Sequence, residues 1–332
     1  MNGIRRPLFA ETALFAAGFL AALVGCGTRA EAPRGSGAPY EPPTFDGAFW
    51  ERWGDGQAEL AGYEFEMTRY GEVRRGTAVA IFVTETFSNE LRVKADPGKH
   101  PPEDEVPVMK LNLVEDFPTG VYDYNWMTSA FIALKAVNGR PAGAPMKISF
   151  TSQEWCGHSY SHALFDADSI RHVLHSYFDG EADQSGRLPY PADGLAEDAL
   201  WFWARGFSGP VLEPGESASV RLLPALKRRR KRSDDAGWVE AALSRAAQPE
   251  TITVPAGEFV VERWTAAPAD GPTRTFFVEA AEPRRVIQWE TDDGETARLL
   301  GGDRMPYWKM NGPEYLDSLS RLGLSPRPPR TP

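Results

Sequence analysis

The sequence predicts a mainly β protein, an antiparallel curved sheet or open half-barrel with a few helices. Apolar and polar residues alternate along many short stretches, short Gly- or Asp-containing turns separate them, and helical patterns are rare. The chain has 332 residues, of which 42% are hydrophobic and 25% charged. Such a chain is long enough and apolar enough to bury a core, so the prediction is of a globular protein.

The first predicted elements form a hairpin. Residues 63–70 (YEFEMTRY) largely alternate, residues 77–84 (TAVAIFVT) are rich in β-branched side chains, and Gly71-Glu72 marks a turn between them. Residues 292–295 (DDGE) predict a second hairpin turn. Further strands are predicted over residues 106–113, 121–134, 146–151, 218–223, 257–264, 274–279, 285–291 and 296–300.

Two segments predict helices. Residues 195–205 (LAEDALWFWAR) contain good helix formers and end before Gly206, and residues 313–322 (PEYLDSLSRL) begin with proline and place apolar residues near helical spacing. The chain has no Gly-x-Gly-x-x-Gly after a predicted strand and no phosphate-binding loop motif. The motifs of nucleotide-binding folds are therefore missing from the sequence.

Charge and cysteine content exclude further classes. Lys and Arg total 36 against 46 Asp and Glu, a formal net charge of −10, which argues against nucleic acid as a partner. Two cysteines exclude a disulfide-dense scaffold and a four-cysteine zinc site. The basic run at residues 227–232 (KRRRKR) is interpreted as a solvated loop tip, and contact with anionic lipid headgroups or glycans is the alternative.

The N-terminus has the pattern of a secretory signal. Arg5 and Arg6 precede an apolar stretch that ends in Leu23-Val24-Gly25-Cys26, and this stretch is shorter than a stable membrane span usually requires. The last four residues resemble the lipobox of bacterial lipoproteins, in which the cysteine is lipidated and cleavage occurs just before it. Cys26 is therefore the predicted lipid attachment site. The alternative is an ordinary signal or anchor helix with an incidental cysteine.

This signal predicts the domain organisation and the location. Residues 1–25 are predicted as a lipoprotein signal peptide, and residues 26–44, rich in Gly, Ala and Pro, as a flexible tether. Residues 45–332 are predicted as a β-rich globular domain, for which an internal division near residue 210 is left open. Gly27 stands where inner-membrane retention would require Asp, so an outer-membrane anchor facing the periplasm is expected, with the membrane as a partner through the lipid.

Several segments between residues 49 and 158 resemble a family of uncharacterised bacterial envelope lipoproteins. They are 49–50 (FW), 53–56 (WGDG), 58–59 (AE), 69–72 (RYGE), 81–85 (IFVTE), 110–112 (KLN), 119–122 (TGVY) and 152–158 (SQEWCGH). Some members carry the label septum-formation inhibitor Maf. Maf proteins are cytoplasmic nucleotide pyrophosphatases with an N-terminal Ser-Pro-Arg-Arg-type motif, whereas Ser325-Pro326-Arg327-Pro328 lies near this C-terminus. The resemblance implies an envelope location and a shared fold, without an established activity.

Residues 254–259 (VPAGEF), with the paired strands that follow, are similar to a second uncharacterised periplasmic β family. In that family a sheet curls toward an open half-barrel, as in lipoprotein carriers. This similarity implies a concave apolar surface that could hold an acyl chain or another hydrophobic ligand.

Residues 154–162 (EWCGHSYSH) carry the highest concentration of reactive side chains. On one extended strand, Glu154, Cys156, His158 and His162 would share a face. They could then bind a divalent metal, or set a cysteine nucleophile beside a histidine base. Residues two apart on a strand are separated by about 6.6 Å, so all four converge only if the chain turns. The competing interpretation, which we favour, is a strand end with a buried Cys156, a packed Trp155 and solvent-facing histidines.

These observations lead to one hypothesis and two rivals. The first is a non-enzymatic, lipid-anchored envelope protein that binds a hydrophobic ligand or an envelope protein, with no cofactor and no metal. The rivals are an envelope hydrolase or metal-dependent enzyme centred on residues 154–162, and a purely structural lipoprotein. The spatial relation of Cys156 to the histidines discriminates between the first hypothesis and the enzyme.

Overall fold

The computed structural model describes residues 40–229 and 237–326. The predicted signal peptide, Cys26, most of the predicted tether and residues 230–232 of the basic run lie outside these ranges. In the part of the chain that is described, no helix combines the length and the hydropathy needed to cross a membrane.

Sixteen strands in the described ranges form one large, mostly antiparallel sheet, which confirms the predicted fold class. The strands are β1 (Ala58–Arg69), β2 (Glu72–Ser88), β3 (Glu105–Thr119), β4 (Tyr122–Ala133), β5 (Pro145–Glu154), β6 (Gly157–Phe165), β7 (Ser169–Ser176), β8 (Gln184–Pro189), β9 (Gly194–Ala196), β10 (Ser217–Leu223), β11 (Val239–Arg245), β12 (Glu250–Val254), β13 (Gly257–Pro268), β14 (Arg274–Glu279), β15 (Val286–Thr291) and β16 (Thr296–Met305).

The order of the strands explains the shape of the sheet. β1 to β8 form a meander, β1 also pairs with β16, and the sheet then continues through β15, β14, β13, β11 and β10 to β9. β8 and β9 are the two ends of this path, and β12 lies off it, paired with β13, so the sheet is not closed. The short connection from Pro189 to Gly194 keeps the two edges near each other, because each residue spans at most about 3.6 Å. The sheet must therefore curl. The strands before and after residue 210 belong to this one sheet.

Local sequence explains the strands. In β5 the buried side chains are at even positions such as Ile148 and Phe150, while Lys147, Ser149 and Thr151 are more exposed, which is the alternation of a half-buried strand. The turn between β1 and β2 is Tyr70-Gly71, with φ of 56° and 74°, as a type I′ hairpin turn requires. Each stretch predicted as a strand lies within or overlaps an observed strand.

The helices are few and short. They are α1 (Gly47–Trp53), α2 (Leu200–Ala204) and α3 (Leu226–Arg229), with 3₁₀ helices at Glu197–Ala199, Tyr307–Lys309 and Pro313–Leu322. The predicted helix over residues 195–205 is thus wrong in its first residues, because Leu195 and Ala196 pair in parallel with β10. Tertiary pairing outweighs a weak helix preference there. The segment predicted as helical over 313–322 is 3₁₀ rather than α.

Helix α2 fills the concave side of the sheet. All five of its residues are buried. Phe202 lies 5.8 Å from the ring of Phe82 in β2, and Trp201 lies 4.7 Å from the ring of Trp289 in β15. One short helix therefore contacts strands from both halves of the sheet, and its aromatic side chains supply the centre of the hydrophobic core.

A buried arginine holds the chain directly after α2 against β1. Arg205, directly after α2, has a fully buried side chain and pairs with Glu59 of β1 at 2.8 Å. Its guanidinium also lies 4.3 Å from the ring centre of Phe82.

At the start of the described chain, Tyr40 and Phe45 pack against the same core. Ordered packing thus begins within the last residues of the stretch predicted as a tether.

We predict that Trp201→Ala lowers the free energy of unfolding by about 3–5 kcal/mol, because the buried indole leaves a cavity between the two halves of the sheet. Chemical denaturation measures the loss. Trp308→Ala is the matched control, since that indole is 45% exposed and its removal should cost much less. Equal losses in the two variants would contradict the central role of α2.

Candidate functional site

The structure separates the reactive residues of segment 154–162. β5 ends at Glu154 and β6 begins at Gly157, and these two residues pair across a two-residue turn. Even positions face the interior in β5, whereas odd positions do so in β6. Glu154 is consequently buried, while His158 and His162 point to the other face of the sheet. The single row that the even positions would form on one strand does not exist.

Cys156 lies in this turn and is exposed, so the expectation of a buried thiol is wrong. Trp155 beside it is 65% exposed rather than packed in the core. The physical reason is the hairpin, which places both residues at its tip. Glu154 Oε2 accepts a hydrogen bond from the Cys156 backbone N–H at 2.6 Å.

The local electrostatics do not activate the thiol. A hydrogen bond to Glu154 and the charge of that carboxylate raise the pKa of Cys156. Burial and the neighbouring Lys147 lower the pKa of His162, whose Nδ1 lies 3.1 Å from the Tyr160 hydroxyl. A thiol with a raised pKa has less of the reactive thiolate at neutral pH. Across residues 40–229 and 237–326, no three His, Cys, Asp or Glu side chains form a group that could hold a metal ion.

The same turn belongs to a row of exposed apolar side chains. The turns β1–β2, β3–β4, β5–β6 and β7–β8 lie at one end of the meander, because alternate connections of an antiparallel meander share an edge. Each presents one large side chain to solvent. They are Tyr70, Val121, Trp155 and Tyr177, exposed by 60%, 80%, 65% and 75%, and we call them the tip row.

Two contacts hold the first member of the tip row in place. The hydroxyls of Tyr70 and the buried Tyr124 are hydrogen bonded at 2.6 Å. The guanidinium of Arg69 lies 4.7 Å from the ring centre of Tyr70 and 5.1 Å from that of Tyr124. The exposed ring is therefore attached to the core, and its orientation is set before any contact is made.

The other aromatic members of the tip row are also supported. Trp155 stacks on Tyr122 with ring centres 6.3 Å apart. Tyr177 lies over Gly157, where an added Cβ would come within 2.5 Å of its ring. Gly157 therefore leaves space for Tyr177 rather than only permitting the turn. Sequence reasoning missed this row because nothing in a single turn shows that four turns share an edge.

A cluster of buried charges lies inside the same end of the sheet. Lys227 Nζ lies 2.9 Å from Glu115 of β3 and 2.7 Å from Glu295, the residue just before β16. Arg274 of β14 lies 2.8 Å from Glu295. Lys227 opens the basic run that was interpreted as a solvated loop, so for this residue the interpretation is wrong. Two buried carboxylates, one from β3 and one from the β15–β16 turn, bind it instead.

Two more carboxylates of the cluster hold the backbone before and within α3. Glu197 Oε2 accepts the backbone N–H of Ala225 at 3.0 Å, and Asp198 Oδ2 accepts that of Leu226 at 2.9 Å. Glu197 also pairs with Arg228. The charged cluster thus fastens the segment 225–228 across the interior of the sheet.

The pKa values of the cluster follow from burial and pairing. Burial raises the pKa of Asp198 to about 6, opposed by its hydrogen bond from Leu226. Burial also raises the pKa of Glu115, although Lys227 opposes it. For Glu295, burial acts upward, but the charges of Lys227 and Arg274 outweigh it and lower the pKa. The charges of Lys227 and Arg274 thus favour the ionised form of Glu295, whereas burial favours the protonated forms of Asp198 and Glu115.

Two of the cavities among the described residues lie beside the charged cluster. A cavity of about 30 Å³ lies among Glu197, Asp198, Trp201 and Lys227, and a second of about 40 Å³ lies beside Trp126 and Lys227. Such volumes hold a few water molecules. A wider depression of about 290 Å³ is polar and is lined by Ser244, Arg245, Ala246, Arg263, Thr265, Thr275 and Glu290.

Comparison with known proteins yields a distant likeness in fold. No protein-family model matches the chain, and no curated protein sequence matches it. A crystal structure of a beta-barrel-like protein of domain of unknown function DUF1849 from Brucella abortus aligns with 74% of this chain and 97% of its own. The identity is 12% and the TM-score is 0.41.

We predict that Glu154→Gln increases the rate at which iodoacetamide alkylates Cys156 in the native protein at pH 7, because the carboxylate that raises the thiol pKa is gone. The measurement is made in a Cys26→Ser background, so that Cys156 is the one remaining thiol. His158→Ala is the matched control and should leave the rate unchanged. A rate that falls in His158→Ala would instead restore the cysteine–histidine hypothesis.

We predict that Asp198→Asn stabilises the protein above pH 6. The folded-state pKa of Asp198 is about 6 against an ordinary value of 3.8, so the folded state binds this proton more tightly than the unfolded state does. Its stability therefore falls as pH rises through that window, by about 3 kcal/mol in all. Denaturation curves at pH 4 and pH 8 should show the variant gaining at pH 8 alone. The exposed substitution Asp317→Asn should run parallel to wild type, and an equal gain for Asp198→Asn at both pH values would contradict the assignment.

Proposed function

We propose that this protein is a lipid-anchored protein of the cell envelope that acts by binding, through the tip row, and not by catalysis. The observation that carries the proposal is the tip row itself. Four large apolar side chains stand exposed on successive turns of one edge, and supporting contacts hold the aromatic ones in place. An ordered row of large apolar side chains along one edge offers a surface for binding.

The arrangement of the reactive groups supports binding over chemistry. The hairpin at residues 155–156 separates Glu154 from His158 and His162, so the proposed metal or nucleophile set has no common cleft. The buried charges pair with one another and fasten α3. These contacts explain the buried charges as a structural network. The edge that carries the tip row is therefore the part of the surface that we assign to recognition.

The size of the cavities bears on the kind of ligand. Neither of the cavities of about 30 and 40 Å³ beside Trp201 and Lys227 has room for an acyl chain. The hydrophobic ligand or envelope partner is therefore proposed to meet the protein at the tip row, outside the sheet.

The location rests on the N-terminal sequence. Leu23-Val24-Gly25-Cys26 has the order of a lipobox, and Gly27 favours the outer membrane, with the protein facing the periplasm. A diacylated Cys26 would supply two lipid chains, which is the number that stable anchoring requires.

We predict that Cys26→Ala leaves the precursor unprocessed or unlipidated, because the acceptor of the lipid is removed. Detergent partitioning of cell extracts should move the variant out of the membrane fraction, whereas wild type stays in it. Cys156→Ser is the matched control and should partition as wild type. If Cys26→Ala also stays with the membrane, the segment acts as an ordinary membrane anchor and Cys26 is not the attachment site.

A further inference from the structure

We infer that the tip row is a lipid-docking edge, which inserts its side chains into the headgroup region of a zwitterionic phospholipid surface. This inference rests on the proposed function, since it names the occupant of the same surface. It goes beyond the acyl anchor, because it assigns membrane contact to the folded domain itself.

The chemistry of the tip row suits a lipid interface. Trp155, Tyr70 and Tyr177 each combine a large apolar ring with a polar N–H or O–H group, and Val121 is wholly apolar. Trp and Tyr concentrate at the headgroup level of membranes, where the ring is buried and the polar group stays hydrated.

The geometry points the same way. Adjacent strands lie about 4.8 Å apart, so successive tips are separated by about 10 Å and the row extends about 30 Å along the edge. Three members stand on two-residue turns and Tyr177 on the seven-residue connection between β7 and β8, and they protrude separately, one from each hairpin. Protein interfaces concentrate their strongest contacts in one central patch. A fluid lipid surface, in contrast, accommodates a line of separate side chains equally well.

The charges around the tip row indicate which lipids are suitable. Glu72 pairs with Arg74 at 2.7 Å beside the first tip. The last turn carries Asp179 and Asp183, both exposed. Acidic side chains at this edge oppose any attraction to anionic headgroups, so neutral headgroups are the favoured surface.

The length of the N-terminal chain permits this contact on the membrane that holds the anchor. Cys26 and Tyr40 are separated by 14 residues, which can span at most about 50 Å. Tyr40 lies near Arg140, in the connection between β4 and β5, at the edge opposite the tip row. β5 has 10 residues, so the two edges are about 33 Å apart along it.

The chain offers its own probe for the test. The processed chain (residues 26–332) carrying Cys26→Ser has neither the lipid nor the apolar segment of the signal, and it leaves Cys156 as the one thiol of two, exposed beside Trp155. An environment-sensitive fluorophore on Cys156 should shift to shorter wavelength when phosphatidylcholine–phosphatidylethanolamine vesicles are added. The same fluorophore on Leu91→Cys in a Cys156→Ser background, in the connection at the opposite edge and 61% exposed in the parent, should not shift.

Substitutions then test the side chains themselves, by vesicle flotation of unlabelled Cys26→Ser protein. Trp155→Ser with Tyr177→Ser should lower the partition coefficient about a hundredfold, since each buried ring is worth about tenfold. Leu91→Ser with Val260→Ser, of comparable exposure elsewhere, should leave it unchanged. Circular dichroism confirms that both pairs fold.

Four outcomes overturn the inference. They are an unshifted Cys156 probe, equal flotation of the two double variants, binding confined to anionic vesicles and lost in high salt, and capture of a single protein by the tip row without vesicle binding. Each leaves the partitioning of Cys26→Ala as an independent result, so failure of lipid docking is distinguishable from failure of the anchored-protein proposal.

Discussion

The rest of the structure depends on the burial of α2 against the concave side of the sheet. A sheet this wide can curl only if its inner face finds apolar partners, and Trp201, Phe202 and Trp203 supply them from one turn of helix. Their rings contact β2, β13 and β15, so they connect strands that lie far apart in the strand order. Without them the inner faces of the two halves would be left to water.

Filling the interior has an electrostatic consequence at its open end. The segment that contains Lys227 crosses this open end of the core. The Lys227 side chain lies there among carboxylates from β3 and the β15–β16 turn. A buried ion pair adds little stability over apolar packing, but removing one partner is costly because the other charge stays buried. The cluster therefore acts as a constraint on where residues 225–228 lie, and the raised pKa of Asp198 means that ionisation of this carboxyl opposes folding.

A filled interior also directs recognition to the outside. Small spaces of about 30 and 40 Å³ cannot admit a hydrophobic molecule of acyl size, while the turns at one edge hold their apolar side chains in solvent. Rigid support from Tyr124 and Tyr122 lowers the entropy that a docking event would cost. The proposals of an anchored binding protein and of a lipid-docking edge both follow from this division between a full interior and an exposed edge.

The sequence by itself determined the β class, the strand positions and the main hairpin, because period-two alternation and turn residues act over a few neighbours. It also predicted the acylation motif at Cys26, which remains a prediction. Only the tertiary structure decided that Leu195 pairs as a strand, that Lys227 is buried, that Cys156 is exposed and that four turns share one edge. These features depend on which distant segments meet. The pairing of β1 with β16 and that of Lys227 with Glu115 join residues far apart in the chain, so neither has a local signal in the sequence.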